Sequence, residues 1–350
     1  MKKKLRFNID RLKICYKQPS GLFEHLSTFK NEALIPYGEA GEFMLKIVDD
    51  GRGTDEDKQP TEVQAAAVSL DDGNAIDVDG EPTEVQTDDG KQPTEIKAAV
   101  VLEHDESVFG HISFNGAGKY DGLCFLEIEN AKLYDGDLFG NLGYVEQGLS
   151  LVVNSLTQVD VAADVNFNPI PKIRKLIKDY AQFDMIVNGK RVENPRRTIE
   201  HYGEFYGRSR EKLNRMPTLY FTQAMSDGLR LRVYNKAKEI AEASGKTYVT
   251  EANGFDGYRM EVTVRWEQFR MWLNYVNSTS DGVGDDDWKQ RSKEGFHHYL
   301  GRSILCNLGD ESYKAHLWRY CVDRLIYFRR LKGEKEVISL LDIAGGLSDH

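Results

Sequence analysis

The sequence predicts an α+β fold, with a mainly antiparallel sheet, flanking helices and a helical C-terminal region. Strand-like segments of alternating polar and apolar residues, separated by glycine and asparagine, occur up to Arg265. Beyond Trp266, apolar residues recur at helical spacing instead. The order of elements is mixed, without regular β-α-β units or a glycine-rich phosphate loop. These observations favour an antiparallel sheet over a doubly wound parallel one.

The elements follow one another unevenly along the chain. Alternation and β-branched residues predict strands over 5–16, 42–48, 110–118, 120–133, 149–167, 218–221, 229–235 and 258–265. Apolar spacing predicts helices over 172–183, 236–244, 267–277, 288–308 and 312–332. Residues 197–214 fit either a helix or a long connection.

Composition excludes several classes of protein. Of the 350 residues, 40% are hydrophobic, which is enough for a core. No run approaches the roughly 20 apolar residues that span a bilayer. Asp10 and Lys13 interrupt the N-terminal segment, so no secretory signal is expected. The four cysteines include no CxxC pair, which indicates a reducing, cytoplasmic setting without structural zinc.

Charge is distributed unevenly over the chain. The net charge is −10, but residues 49–107 hold 18 acidic and four basic residues. Residues 168–239 hold 16 basic and eight acidic residues, an excess of eight positive charges. Such a stretch is either a solvated surface or a surface for a phosphate backbone.

The acidic segment is repetitive. DDG occurs at Asp49, Asp71 and Asp88, and a Q/E-P-T-E-V/I motif begins at Gln59, Glu81 and Gln92. Its polar composition cannot bury enough apolar surface to offset the entropy of ordering. We therefore predict a flexible insertion over 49–100 at the tip of a β-hairpin. It divides a catalytic domain formed by 1–48 and 101–270, which precedes a helical region over 271–350.

Three strands place polar side chains on one face, because successive strand residues point to opposite sides. Val159, Val161 and Val165 share the apolar face of one strand, and the apolar faces of the other two carry Leu231, Val233, Met260 and Val262. If the strands share a sheet, its other face gathers eight candidates: Asp160, Asp164, Arg230, Arg232, Tyr234, Lys236, Arg259 and Glu261. Periodicity alone favours an ordinary solvent-exposed face of an amphipathic sheet.

The side chains of this face suit phosphoryl transfer. Carboxylate oxygens are preferred ligands of Mg²⁺ and Mn²⁺. Such a metal orients and polarises a phosphoryl group, and cationic side chains offset charge in the transition state. A tyrosine hydroxyl among them can act as a nucleophile once it is activated.

Order and spacing of these segments resemble the Rep_trans family of replication initiation factors. The family pattern contains a strand ending in Y-[ND]-K, matched at Tyr234, Asn235 and Lys236, and an R-x-E strand, matched at Arg259 and Glu261. An upstream strand with two aspartates is matched at Asp160 and Asp164. The resemblance covers 6–16 and 155–270. The sequence differs from the pattern at Gln158, where the family has arginine, and at residues 222–224, where it has G-S-R.

This resemblance implies a rolling-circle initiator that nicks and rejoins origin DNA. Tyr234 would form a link to the 5′ phosphate, with Lys236 as its catalytic partner. The resemblance implies Mg²⁺ or Mn²⁺ as the cofactor. The remaining site residues are metal ligands at Asp160, Asp164 and Glu261, and DNA contacts at Arg230, Arg232 and Arg259.

Implied partners are an origin or transfer site that is at least partly single-stranded, a second copy of the chain, and a host helicase and polymerase. Alternatives that stay open are a relaxase of an integrative element, a DNA-binding protein without catalysis, an unrelated metal-dependent phosphodiesterase, and an interaction protein.

Overall fold

A computed structural model describes residues 3–29, 34–37, 43–49, 95–103, 106–179, 181–192, 218–222, 228–279, 297–331 and 336–345. The strands are β1 (Leu5–Lys17), β2 (Leu34–Tyr37), β3 (Phe43–Asp49), β4 (Glu95–Leu102), β5 (Val108–Asn115), β6 (Leu123–Ile128), β7 (Val152–Val165), β8 (Phe183–Val187), β9 (Lys190–Arg191), β10 (Leu219–Thr222), β11 (Arg230–Asn235), β12 (Tyr258–Arg265), β13 (Ile326–Arg330) and β14 (Val337–Ile338). The α-helices are α1 (Leu22–Ser27), α2 (Leu138–Gly148), α3 (Ile170–Lys178), α4 (Lys236–Glu239), α5 (Thr247–Asn253), α6 (Trp266–Thr279), α7 (His297–Asn307), α8 (Glu311–Leu325) and α9 (Leu340–Ala344).

Ten strands form one large sheet in the order β10-β11-β12-β7-β1-β6-β5-β4-β3-β2. Every neighbouring pair in it is antiparallel. The predicted α+β fold with a mainly antiparallel sheet is therefore confirmed. The strands β7, β11 and β12, whose alternation suggested a shared polar face, are neighbours in the centre of one half of the sheet.

The core lies on the apolar face of this sheet. Val161, Val233 and Val262 are fully buried there. Trp318 of α8 is also fully buried, and its indole N–H donates to the backbone oxygen of Met260 at 3.0 Å. The helices α7 and α8 contact β7, and α8 also contacts β1 and β12. The C-terminal helices thus cover the apolar face and leave the polar face of β7, β11 and β12 on the other side.

The strands β3 and β4, which flank the acidic repeats in the chain, pair as the sequence suggested. The register pairs Phe43 of β3 with Leu102 of β4 and continues to Asp49 opposite Lys97. The strand β4 begins at Glu95, so residues 95–100 belong to the sheet and not to the insertion. Residues 50–94 lie outside the described part of the chain.

A second sheet of four strands, in the order β14-β13-β8-β9, was not predicted. The helix expected over 312–332 ends at Leu325, and Ile326–Arg330 instead form a strand that pairs with β8. The turn between β8 and β9 is Asn188-Gly189, with φ of 51° and 74°. Asparagine and glycine tolerate this left-handed backbone, which two-residue hairpins require.

The remaining expectations about helices fare differently. The helix predicted over 172–183 is α3, but it ends at Lys178, and Phe183 begins β8. The helix α4 begins at Lys236 as expected. The expected helix or connection over 197–214, and residues 288–296 of another expected helix, lie outside the described residues. None of the described helices is both long and apolar enough to cross a membrane.

Candidate active site

Tyr234, Arg259 and Asp164 form one row across the polar face, because Tyr234 of β11 lies opposite Arg259 of β12, which lies opposite Asp164 of β7. The next row along pairs Arg232 with Glu261. Residues directly opposite each other in a sheet have Cβ atoms about 5 Å apart on the same side. The register therefore brings these five predicted site residues together.

The hydroxyl of Tyr234 is bound to a buried carboxylate. It donates to Oε2 of Glu261 at 3.1 Å. The other oxygen of Glu261 accepts from Arg232. The Glu261 side chain is fully buried, whereas that of Arg232 is 47% exposed. A phosphate that approaches from solvent would thus meet Arg232 first and the half-buried tyrosine beside it.

Tyr234 is protonated in this arrangement. Burial and the negative charge of Glu261 raise the pKa of Tyr234 well above its usual value, and the positive charges of Arg259 and Arg232 do not offset them. The Arg232 guanidinium and the Lys236 ammonium lie 5.6 and 5.9 Å from the centre of the tyrosine ring. The phenol therefore needs a base to become a nucleophile, and Glu261 is the acceptor already in contact with it.

Lys236 does not continue the strand, contrary to the alternation from which it was placed on the same face as Tyr234. The strand ends at Asn235, and Lys236 is the first residue of α4. The Asn235 side chain caps this helix by accepting from the backbone N–H of Lys238 at 2.9 Å. The buried Lys236 ammonium forms an ion pair with Glu239 at 2.8 Å. The Y-N-K segment thus combines a site tyrosine with a helix start.

Arg259 is buried among acceptors, whereas the sequence predicted a phosphate contact. Its guanidinium donates to both oxygens of Asp164, at 2.7 and 2.8 Å. It also donates to Asp10 and to the hydroxyl of Tyr134. The side chain is fully buried. In this structure Arg259 therefore lies beneath the site as a fixed cation and has no surface to offer DNA.

Asp10 belongs to the site, although its position in the strand pattern did not indicate this. A β-bulge lies between Ile9 and Arg11 of β1 and leaves Asp10 without an opposite residue in the register with β7. Burial raises the pKa of Asp10, but Arg259 and Lys236 outweigh burial and hold it well below its usual range. A detectable signal existed, since buried Ile9 and Leu12 are three positions apart. Simple alternation would have placed them two or four apart.

The three predicted metal ligands are not gathered at one point. Among the described residues, no group of three His, Cys, Asp or Glu side chains could hold a metal ion. Asp164 is bound by Arg259, and its Oδ2 also accepts from Asn8 at 2.8 Å and from Asn253 at 3.0 Å. These contacts leave Asp164 poorly suited to a cation.

Asp160 and Glu261 fit a divalent cation better. Both are buried. Burial and repulsion from Glu261 raise the pKa of Asp160 to about 7. Two buried carboxylates that repel each other are a donor set that a hard cation would stabilise. Arg232 donates a hydrogen bond to one carboxylate oxygen of Glu261, and Tyr234 donates one to the other. A cation bound by Glu261 would therefore share these oxygens with both residues.

Two more residues lie on this polar face, and a nearby tyrosine does not. Arg230 is exposed and lies opposite Thr263, at the far end of β11 from Tyr234. Tyr220 of β10 lies opposite Arg232 and therefore on the polar face. Tyr258, the first residue of β12, packs instead against the hydrophobic core.

Comparisons with known proteins give one distant likeness. No family model matches the chain, and no curated protein matches it. A solved rolling circle replication initiator protein from Geobacillus stearothermophilus aligns with 95% of this chain and 90% of its own, at 14% identity and a TM-score of 0.35. A likeness at that level carries no argument about activity.

Proposed function

We propose that this chain nicks one strand of DNA with Tyr234 and rejoins it, as a rolling-circle replication initiator would. The observation that carries the proposal is the hydrogen bond from Tyr234 to buried Glu261, beside the half-exposed cation of Arg232. A tyrosine with an acceptor for its proton and a cation at its solvent side has the parts that phosphodiester attack requires. The order of the Y-N-K and R-x-E segments supports the same proposal.

In the proposed nicking step, the Tyr234 oxygen attacks phosphorus and passes its proton to Glu261. The bond from phosphorus to the 3′ oxygen breaks, and that oxygen takes a proton from water to leave as a 3′ hydroxyl. The 5′ phosphate stays joined to Tyr234. Rejoining reverses each step, and Glu261 returns the proton to the phenolate. Because a phenolate leaves more readily than an alkoxide, the linkage remains reversible.

Arg232 and Arg230 are the proposed phosphate contacts, since both reach solvent from β11. The buried Lys236 and Arg259 would act from below, where their positive charges offset negative charge at the attacked phosphate. Asp160 and Glu261 would hold Mg²⁺ or Mn²⁺. When bound, such an ion would polarise the phosphoryl oxygens and orient the substrate.

The proposed partner is an origin or transfer site, at least partly single-stranded, in a bacterial cytoplasm. A host helicase and polymerase, and a second copy of the chain, remain predictions from the resemblance. A relaxase of an integrative element would use the same chemistry.

Covalent trapping tests this proposal. The protein is incubated with Mn²⁺ and internally labelled single-stranded DNA of random sequence, then resolved on a denaturing gel. We expect label on the wild-type chain and none on Tyr234→Phe. Tyr220→Phe is the matched control, because it removes a hydroxyl from the same sheet face. An adduct that persists in Tyr234→Phe would assign the nucleophile to another tyrosine, and DNA cleavage without any adduct would favour the phosphodiesterase alternative.

A further inference from the structure

The small sheet has an outer face with two exposed arginines. The register places Arg191 opposite Ile186, and Ile186 opposite Tyr327. The next row places Asp184 opposite Arg329, and Arg329 opposite Val337. Since opposite residues share a side of the sheet, these six side chains form one face. We call it the outer face of the small sheet.

One buried carboxylate holds both arginines in place. Asp184 lies on β8, which has β9 on one side and β13 on the other. Its Oδ1 accepts from Nε of Arg191 at 2.6 Å, and its Oδ2 accepts from Arg329 at 3.1 Å. The Asp184 side chain is 5% exposed, but those of Arg191 and Arg329 are 61% and 47% exposed. The carboxylate therefore fixes two guanidinium groups whose other N–H groups can face solvent.

The positive charge on this face exceeds the negative charge of Asp184. One arginine would neutralise one carboxylate, so the second leaves a net positive charge fixed in place. Lys190 and Arg330 are exposed as well, but the register places them on the other side of the sheet, and Arg330 is paired with Glu336 at 3.1 Å. In a chain of net charge −10, a fixed cationic face is suited to an anionic partner.

The neighbouring side chains favour a phosphate backbone over stacked bases. Surfaces for single strands use several aromatic side chains on which successive bases stack. Among the six residues of the outer face, Tyr327 is the one aromatic side chain, and it is only partly exposed. Guanidinium groups match phosphate geometry with paired hydrogen bonds. Duplex DNA presents phosphates densely, at about one charge per 1.7 Å of helix axis.

We propose that the outer face of the small sheet binds the phosphate backbone of double-stranded DNA through Arg191 and Arg329. The inference that the partner is DNA rests on the proposed function, but the binding does not require the nicking chemistry of Tyr234. The surface lies on a different sheet from the tyrosine site.

Salt-dependent binding tests the proposal. The affinity of the full chain for a short labelled duplex of random sequence is measured by fluorescence anisotropy from about 50 to about 200 mM salt. We expect the double variant Arg191→Gln/Arg329→Gln to bind about tenfold more weakly at the lower salt. The slope of log affinity against log salt should fall by about 1.8, since each phosphate contact contributes about 0.9.

Two control variants isolate position from charge. Arg270→Gln/Arg319→Gln removes the same charge from two exposed helical arginines paired with Glu267 and Asp323, and we expect it to leave the slope unchanged. Arg191→Lys/Arg329→Lys keeps the charge and should keep most of the slope. An equal loss in the Arg270/Arg319 variant would overturn the proposal, and so would a loss confined to single-stranded DNA.

A triple variant controls for misfolding, because removal of both arginines leaves the Asp184 carboxylate buried without a counterion. The triple variant Arg191→Gln/Asp184→Asn/Arg329→Gln removes that charge as well. It should show the same loss of slope with the thermal unfolding temperature of the wild type. Tyr234→Phe should bind the duplex as the wild type does, so failure of nicking and failure of this surface are separable.

Discussion

At the scale of single residues, the site depends on which polar groups are buried. Alternation along β7, β11 and β12 was enough to predict that Tyr234, Glu261 and Asp164 share a face. Alternation shows the side of the sheet to which a side chain points, but not how deeply it is buried. It could therefore not show that Arg259 is fully buried while Arg232 reaches solvent. It also missed Asp10, since the bulge in β1 changes the side to which that residue points.

Glu261→Gln tests the proposed base. Glutamine can still accept the hydrogen bond from Tyr234, but it cannot take the proton. We expect adduct formation to slow by about 10² to 10⁴-fold, with DNA affinity nearly unchanged. Single-turnover trapping measures this rate. If high Mn²⁺ restores it, Glu261 serves to hold the metal instead of taking the proton.

Asp10→Asn tests the buried ion pair beneath the site. Removing one partner of a buried pair costs about 3 kcal/mol, because the Arg259 charge then loses part of its compensation. The pKa of Asp10 is lowered in the fold, so its contribution is fully present above the unfolded pKa of about 4 and is lost as pH falls below it. Urea unfolding between about pH 2 and 7 should therefore show less acid sensitivity in the variant. Parallel pH dependences in the wild type and the variant would show that the Asp10 carboxylate does not supply this stability.

At the scale of elements, the alternation of polar and apolar residues predicted most strands. It failed where a segment fits helical spacing as well as strand spacing. The segment after Leu325 has aromatic residues that fit a helix, and it became β13 because β8 offers a pairing partner. That partner is distant in the chain, so local spacing could not reveal it. The Asn188-Gly189 turn was a usable local signal for the small sheet.

Asn235→Ala tests the helix start that follows the tyrosine. Loss of the cap on the backbone N–H of Lys238 should cost about 1 kcal/mol of unfolding free energy. Asn235→Ser is the matched control, since serine can cap as well, and it should stay near the wild type. Chemical denaturation compares the three proteins. Equal stabilities for alanine and serine would show that the cap contributes nothing.

At the scale of the whole molecule, charge is divided between regions of opposite sign. The acidic repeats lie between β3 and β4, far along the sheet order from β11 and β12. Repeats and low hydrophobicity are visible without any structure, so composition predicts a flexible insertion here. That prediction concerns residues 50–94, which lie outside the described part of the chain. The packing of the C-terminal helices on the large sheet was not predictable, since it depends on contacts between distant segments.

Replacing residues 50–94 by a short turn tests the independence of the insertion. Those residues hold 13 acidic and three basic side chains, so the net charge would change from −10 to 0. We expect an unchanged unfolding temperature and tighter DNA binding at low salt, because repulsion from phosphates is removed. Calorimetry and anisotropy measure the two effects. A large loss of stability would show that the sheet depends on the insertion.

Mass spectrometry of the covalent adduct identifies the residue to which DNA is attached, and so tests directly whether Tyr234 is the nucleophile. The adduct formed with Mn²⁺ is digested with nuclease and protease, and the peptide that carries the residual nucleotide phosphate is sequenced. We expect a phosphate ester on Tyr234. Attachment at Tyr220, at Tyr258 or at any residue other than Tyr234 would contradict it.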